Sequence, residues 1–127
     1  MIASDIMTRK VCTISPEASL QEVAQLLYQE RISGVPVVNA DGQIIGIVTE
    51  ADIISKASQE GLRVADIMSH EIIAVTEDTP INEIALLLTE RKIKRVPVVS
   101  EGKLAGIVSR ADIVHAVAEG HLILRSW

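Results

Sequence analysis

The sequence predicts an α+β fold built from two pseudo-symmetric repeats. Asp5-Ile6-Met7 returns as Asp66-Ile67-Met68, and the VPVV segment at 35–38 returns at 96–99. After a one-residue deletion, the GIV segment at 46–48 returns at 106–108. Nineteen of about 50 aligned positions are identical, so an internal duplication organises this chain. We place the repeats at 1–60 and 61–127, the second with a C-terminal tail.

Each repeat predicts the order strand, helix, strand, strand, helix (β-α-β-β-α). The β-branched runs Val11–Ile14 and Ile72–Val75 predict the first strand of each copy. In repeat 1, Ser19 followed by Glu22 predicts a capping box at the start of the first helix. The corresponding helix of repeat 2 is expected to begin after an N-cap at Thr79.

The second half of each repeat predicts a hairpin followed by a helix. Strands are expected at 35–38 and 44–48, and again at 96–99 and 104–108, joined by turns rich in Gly, Asn and Asp. Thr49 and Ser109 are expected to start the last helix of each copy. One copy of about 50 residues buries little surface alone, so we expect the repeats to pack sheet against sheet and share a core as one module.

The amino-acid composition limits the kinds of function that the chain is expected to have. Apolar residues make up 48% of the chain, but Phe is absent, so a bound base would lie between aliphatic side chains. The net charge of −5 argues against nucleic acid or an anionic membrane as the main partner. Apolar runs are far shorter than the roughly 20 residues that span a bilayer. The single cysteine, Cys12, cannot form an intrachain disulfide, which is typical of a cytoplasmic protein.

No residue pattern predicts catalysis or metal binding. There is no nucleophile with a base partner, and the three histidines lack the spacing of a metal site. We therefore expect neither an enzyme nor a required cofactor.

The repeated motifs resemble those of the CBS domain family, named from cystathionine β-synthase, and in particular its tandem pair, the Bateman module. The resemblance covers nearly the whole chain. It rests on the lead-ins SDIM and ADIM, the strands SGVPVV and KRVPVV, and above all the segments GIVTEAD and GIVSRAD. It implies a module that binds an adenine nucleotide (AMP, ADP or ATP) or S-adenosylmethionine.

The resemblance also implies which residues bind. The family pattern G-h-h-[ST]-x-x-D, where h is apolar, uses its Asp for the ribose hydroxyls and its Ser or Thr near the phosphate. Both repeats match it, with Thr49 and Asp52 in the first and Ser109 and Asp112 in the second. In the family, each site combines this pair with strand residues of the other repeat. Thr49 and Asp52 would share a site with Ile72, Lys94, Arg95 and Val96, and Ser109 and Asp112 with Val11, Ser33, Gly34 and Val35.

A rival interpretation of both pairs is helix capping. The spacing [ST]-x-x-[DE] before a helix is itself a capping box, so spacing cannot separate the two roles. Capping favours the longer Glu or Gln at the last position, whereas both copies carry Asp, which favours the ribose role. A phosphate near the helix start would also gain from the exposed amides.

The basic run 91–95 makes the two predicted sites unequal. Arg91 and Lys92 suit the negative end of a helix dipole. Lys94 and Arg95 precede the VPVV strand, where the resemblance to AMP-binding pairs implies basic residues that contact phosphate. Repeat 1 has Ser33-Gly34 at these positions. With the cross-repeat pairing, the Asp52 site is expected to take the phosphorylated ligand.

The expected function is ligand sensing between the repeats that alters assembly or binding to a protein target. The alternative is a dimerisation or interaction module that binds no ligand. The resemblance implies a homodimer, and the tail from Glu119 to Trp127 carries an apolar run compatible with a subunit contact.

Overall fold

The computed structural model describes residues 1–120 and divides the chain into two compact units. The central unit is Cys12–Ile72, and the terminal unit combines Met1–Val11 with Ile73–Trp127. The predicted contribution of the tail to a subunit contact concerns mainly residues 121–127, which lie outside the described residues.

The central unit pairs a hairpin with three helices. Its elements are α2 (Leu20–Glu30), β1 (Gly34–Val38), β2 (Ile44–Thr49), α3 (Glu50–Lys56) and α4 (Val64–Ile67). β1 and β2 run antiparallel, with a bulge between Val37 and Val38. Val23 and Leu27, one turn apart on α2, bury the same helix face against the strand valines. The core consists of Ala18, Val23, Leu27, Val35, Val37, Val48, Val64 and Ile67.

The terminal unit repeats this arrangement with one more strand. Its elements are α1 (Ala3–Ile6), β3 (Val75–Thr76), α5 (Ile81–Arg91), β4 (Arg95–Ser100), β5 (Lys103–Ser109) and α6 (Arg110–Ala118). β4 lies between β3, which is parallel to it, and β5, which is antiparallel. The core consists of Ala3, Met7, Val75, Ile81, Ile84, Leu88, Val96, Val98, Val108 and Ile113. The α+β class is confirmed, and the buried residues form one cluster in each unit. Packing of the two repeats around a shared core stays a prediction.

The spatial units differ from the sequence repeats because each lead-in packs with the later elements of the other copy. α1, from repeat 1, lies in the terminal unit, where the Ala3 amide donates to the Thr79 carbonyl at 2.9 Å. α4, from repeat 2, lies in the central unit, where the Val64 amide donates to the Ala18 carbonyl at 2.8 Å. The boundaries at 1–60 and 61–127 therefore describe the two copies of the duplicated sequence. In the compact units, the first segment of each copy belongs to the unit that holds the rest of the other copy.

Two local predictions were wrong. The strand expected over Val11–Ile14 is a single bridge between Ile14 and Val37, and its counterpart is reduced to β3. The chain passes from one unit to the other at 11–12 and at 72–73, so these β-branched runs serve as connections. The N-cap of α5 is Pro80, one residue later than expected, because the Thr79 hydroxyl instead accepts from the Thr76 amide at 3.0 Å.

Candidate functional site

Thr49 and Asp52 form a closed pair at the junction of β2 and α3. Thr49 is the N-cap of α3, and its amide donates to Asp52 Oδ2 at 2.8 Å. The Thr49 hydroxyl donates to the same oxygen at 3.0 Å and accepts from the Asp52 amide at 3.4 Å. Both residues are half-buried. Their hydrogen bonds hold a hydroxyl and a carboxylate together on the first turn of α3.

Ser109 and Asp112 repeat the two backbone-to-side-chain capping bonds of this pair in the terminal unit. Ser109 is the N-cap of α6, and its amide donates to Asp112 Oδ2 at 2.8 Å. The Asp112 amide donates to Ser109 Oγ at 3.2 Å. The two sequence-predicted pairs are therefore structurally equivalent, each placed where a strand ends and a helix begins.

The sequence argument against capping was wrong. Both pairs form capping boxes, and Asp performs the same role at the shorter helices α1 and α4. Asp5 accepts from the Ile2 amide and Asp66 from the Arg63 amide, each at 2.8 Å. An aspartate side chain thus reaches the N-cap amide in this chain, and the choice of Asp over Glu says nothing about ribose binding.

The strand residues Ser33, Gly34 and Val35, which were predicted for the Ser109–Asp112 site, lie in the central unit beside Thr49. β1 pairs with β2 so that Gly34 is opposite Thr49, and the Glu50 amide donates to the Ser33 carbonyl at 2.9 Å. The Val35 side chain is 1% exposed and belongs to the core. Val35 can therefore offer a ligand its backbone but not its side chain.

In the terminal unit, Lys94 and Arg95 lie beside Ser109. β4 pairs with β5 so that Arg95 is opposite Ser109, and the Arg110 amide donates to the Lys94 carbonyl at 2.9 Å. Val96 is fully buried in the core, like its counterpart Val35.

The structure thus brings each hydroxyl–carboxylate pair together with strand residues of its own unit. The cross-repeat sets implied by the resemblance join residues of the two units and stay a prediction. Val11 and Ile72 are half-buried, and each is the last residue of its unit before the chain crosses to the other.

Sequence reasoning missed two charged residues that directly follow the N-caps, Glu50 and Arg110. The Arg110 Nε donates to the Ile93 carbonyl at 3.0 Å, which anchors the guanidinium group near the start of β4. The signal was present in the sequence, because Glu50 and Arg110 occupy the same position of the repeated motif and carry opposite charges.

Each unit has a cavity lined by one residue that the sequence predicted for a site, Ser33 in the central unit and Asp112 in the terminal unit. In the central unit, a cavity of about 610 Å³ is lined by Leu27, Tyr28, Gln29, Arg31, Ile32, Ser33 and Glu50. In the terminal unit, a cavity of about 340 Å³ is lined by Met1, Asp5, Ile6, Asp112, His115, Ala116 and Glu119. Arg31 was not predicted, and it follows α2 in a left-handed conformation with φ 55°.

The described part of the chain was also examined for metal-binding groups and membrane-spanning helices. Among residues 1–120, no three His, Cys, Asp or Glu side chains group in a way that could hold a metal ion. Within the same residues, every helix is too short or too polar to cross a membrane.

Comparison with known proteins identifies the family. The CBS domain model matches twice, over residues 3–58 and 64–119. This chain belongs to the CBS domain family. The two matches confirm the predicted tandem CBS pair.

Similar proteins include a curated relative and two solved CBS structures. Uncharacterized protein MK0525 of Methanopyrus kandleri is 36% identical over 116 residues, which cover 87% of this chain and 59% of that protein. The chain therefore spans less than two thirds of this relative.

The CBS domain pair of protein MJ0100, crystallised with 5′-methylthioadenosine and S-adenosyl-L-methionine, has a TM-score of 0.80 at 28% identity, covering 94% of this chain and 98% of that one. CBSX2, known from Arabidopsis thaliana and crystallised with AMP, has a TM-score of 0.86 at 27% identity. The match covers 95% of this chain and 98% of that one.

Proposed function

We propose that this chain is a regulatory module that binds an adenosyl ligand: AMP, ADP, ATP or S-adenosylmethionine. The observation that carries the proposal is the pair of equivalent strand-to-helix junctions, each presenting a hydroxyl and a carboxylate in the same geometry. Similar CBS pairs bind AMP, 5′-methylthioadenosine and S-adenosylmethionine, and this supports the ligand class.

The residues proposed to bind fall into two groups. The first group consists of the polar pairs at the helix starts, Thr49 with Asp52 and Ser109 with Asp112. The second group consists of the strand starts and connecting segments, namely Val11, Ser33, Gly34, Val35, Ile72, Lys94, Arg95 and Val96. A carboxylate suits the ribose hydroxyls because an ionised carboxylate accepts strong hydrogen bonds and donates none.

Ligand binding would act by favouring one of two conformations, which changes assembly or binding to a protein target. Sensing, and not catalysis, is proposed because similar CBS pairs were crystallised with adenosyl compounds as bound ligands. A cytoplasmic location fits this proposal, since the lone Cys12 has no partner for an intrachain disulfide.

Calorimetric titration of the full chain with AMP, ATP and S-adenosylmethionine tests this proposal. Asp52→Asn combined with Asp112→Asn is expected to weaken binding at least tenfold, since the amide keeps an acceptor for the N-cap but loses the charge that strengthens its hydrogen bonds.

Asp66→Asn is the control, because this carboxylate forms the same 2.8 Å capping bond and lines neither of the two cavities. The control should bind as tightly as the unmodified chain. The proposal fails if none of the three compounds produces heat at millimolar concentration, or if Asp66→Asn loses as much binding as the double variant.

A second candidate, a dimerisation module, is favoured by exposed apolar helix residues. Ile54 and Val114 hold equivalent positions in α3 and α6, and they are 76% and 66% exposed. An apolar side chain that is exposed at the same position of both repeats is expected to be covered by another protein surface. Light scattering should show a homodimer that Ile54→Glu with Val114→Glu converts to a monomer, and a monomeric unmodified chain would remove this candidate.

A further inference from the structure

The exposed apolar side chains of the two CBS units lie on matching pairs of helices. In the described part of the chain, every large apolar residue that is exposed, apart from the N-terminal methionine, belongs to α2, α3, α5 or α6. α2 contacts α3 in the central unit, and α5 contacts α6 in the terminal unit. The exposed apolar residues on these helices are Tyr28, Ile54, Leu86, Val114 and Val117. Each unit thus has a surface, formed by its two helices, that another protein surface is expected to cover.

The last helix of each unit presents nearly the same side chains. Ile54 and Val114 hold one position of the repeated sequence, and the exposed Ala51 and Ala111 hold the position three residues earlier. Residues three apart lie on the same side of a helix. Shape and apolar character therefore allow α3 of one copy to contact either α3 or α6 of a second copy.

Two arrangements of a symmetric dimer follow from this similarity. In a head-to-head dimer, each unit meets the same unit of the second copy. In a head-to-tail dimer, the central unit of each copy meets the terminal unit of the other. Both arrangements are closed by a twofold axis, so a property other than apolar surface has to select between them.

The net charge of the units differs sharply. The central unit carries nine acidic and three basic residues, a net charge of −6. Residues 1–11 and 73–120 of the terminal unit carry eight of each, so they are neutral overall. A head-to-head dimer would therefore place two strongly acidic units against each other, which costs affinity.

The helices and their C-caps show the same difference in their exposed Lys, Arg, Asp and Glu side chains. On α2 and α3, these side chains are Glu22, Glu30, Arg31 and Glu50. On α5 and α6, they are Glu83, Glu90, Arg91, Lys92, Arg110 and Glu119. The first surface has an excess of carboxylates, whereas the second offers three cations and is balanced.

We infer that two copies of this chain associate head-to-tail, with α2 and α3 of each copy against α5 and α6 of the other. This arrangement keeps the two acidic surfaces apart and gives each of them a surface with three cations. Charge across an interface sets the orientation of the partners more than it sets the affinity, which here comes from the apolar residues. The inference rests on the dimerisation candidate above and does not depend on which ligand is bound.

Cross-linking of single-cysteine variants tests the orientation. Cys12→Ser removes the natural thiol, and Ile54→Cys or Val114→Cys then supplies one thiol on an exposed helix position. A short bismaleimide is expected to link the two variants to each other when they are mixed and allowed to exchange subunits. Neither variant alone should be linked to itself. Lys103→Cys is the control, because Lys103 is exposed on β5 and lies outside the helices, so it should form no cross-linked dimer.

The possible results separate the orientation from dimerisation itself. Linking of each variant to itself, without a link between the two, would overturn the head-to-tail arrangement. A dimer in light scattering that gives no cross-link in any sample would overturn the assignment to these helices. A monomeric unmodified chain would overturn this inference together with the dimerisation candidate, whereas the titration with adenosyl compounds tests ligand binding independently.

Charge variants test why this orientation is preferred. Arg91→Glu with Arg110→Glu copies Glu30 and Glu50, the equivalent residues of repeat 1, into the terminal unit. The dissociation constant of the dimer is expected to rise roughly fivefold or more at low salt and by less at high salt. Lys10→Glu with Lys103→Glu changes the net charge equally away from these helices, so its effect should be less than about twofold. Equal effects of the two double variants would overturn the role of the helix charges.

Discussion

Gly46 and Gly106 occupy equivalent positions where a lead-in segment crosses a strand. A Cβ at Gly46 would lie 2.5 Å from Met68 Sδ and 3.0 Å from the Ser69 carbonyl oxygen. A Cβ at Gly106 would lie 2.8 Å from Met7 Sδ and 2.9 Å from the Thr8 carbonyl oxygen. The glycine of the family motif therefore allows the lead-in to pack closely on the strand that precedes the helix start.

Gly46→Ala is expected to lower the free energy of unfolding by about 1–3 kcal/mol, because both a side chain and a hydrogen-bonded backbone would have to move. Chemical denaturation measures the loss. Adding Met68→Ala should not restore stability, since the Ser69 carbonyl remains in contact with the new methyl group. Gly34→Ala is the control, where the nearest atom is 3.3 Å away and the loss should be smaller.

Asp78 shows how one hydrogen bond tunes a carboxyl group. The Thr76 hydroxyl donates to Asp78 Oδ1 at 2.6 Å, and this bond, together with one from the Asp78 backbone, lowers the pKa of Asp78 below its ordinary value of 3.8. Since the folded pKa is the lower one, any stability gained is present above pH 3.8 and is lost as the pH falls through the folded pKa.

Thr76→Val should therefore raise the pKa of Asp78 toward 3.8, measured by NMR titration of its side-chain carbon. Thr76→Ser keeps the hydroxyl and should leave the pKa low. An unchanged pKa in Thr76→Val would show that the hydroxyl does not cause the shift.

At the scale of the element, helix starts and ends illustrate what sequence can predict. The Ser19–Glu22 capping box was predicted correctly because both partners are local, with the Glu22 amide donating to Ser19 Oγ at 3.1 Å. The first strands were predicted wrongly, since β-branched composition does not reveal that the chain crosses between units there. The exchange of lead-ins was not predictable either, because both copies carry the same lead-in motif and local propensity does not choose between them.

The residues of the candidate site also divide into those that the sequence places correctly and those whose neighbours only the structure shows. Thr49, Asp52, Ser109 and Asp112 were placed correctly at helix starts by the repeat. The neighbours of each pair depend on strand register, which arises from tertiary pairing, so the position of Arg95 opposite Ser109 required the structure.

Arg31 and Lys92 end the two long helices in the left-handed region, with φ 55° and 54°. A side chain there costs about 1–2 kcal/mol relative to right-handed backbone, and glycine avoids most of this cost. A basic side chain recovers part of it through the helix dipole.

Arg31→Gly is thus expected to raise the free energy of unfolding by roughly 0.5 kcal/mol, measured by chemical denaturation. Arg31→Ala keeps the Cβ and loses the charge, so it should be neutral or destabilising. A larger gain with alanine than with glycine would show that the charge, and not the backbone conformation, limits stability here.

At the scale of the whole molecule, unequal charge predicts unequal local stability. Like charges destabilise a compact state by mutual repulsion, and the central unit carries a net charge of −6. Each unit has its own buried cluster, so each has the means to open on its own. Salt screens repulsion, shortening the Debye length to about 8 Å at physiological ionic strength.

Raising the salt concentration from low to physiological should therefore slow amide exchange in β1 and β2 more than in β4 and β5, by roughly twofold or more. Hydrogen exchange followed by NMR measures both hairpins in one sample. Sucrose is the control, because it favours burial without screening charge and should protect both hairpins alike. Replacing the exposed Glu60 and Glu71 with Gln should reduce the salt response of β1 and β2, since part of the repulsion is then gone. An equal salt response in the two hairpins would mean that the charge difference does not lower the local stability of the central unit.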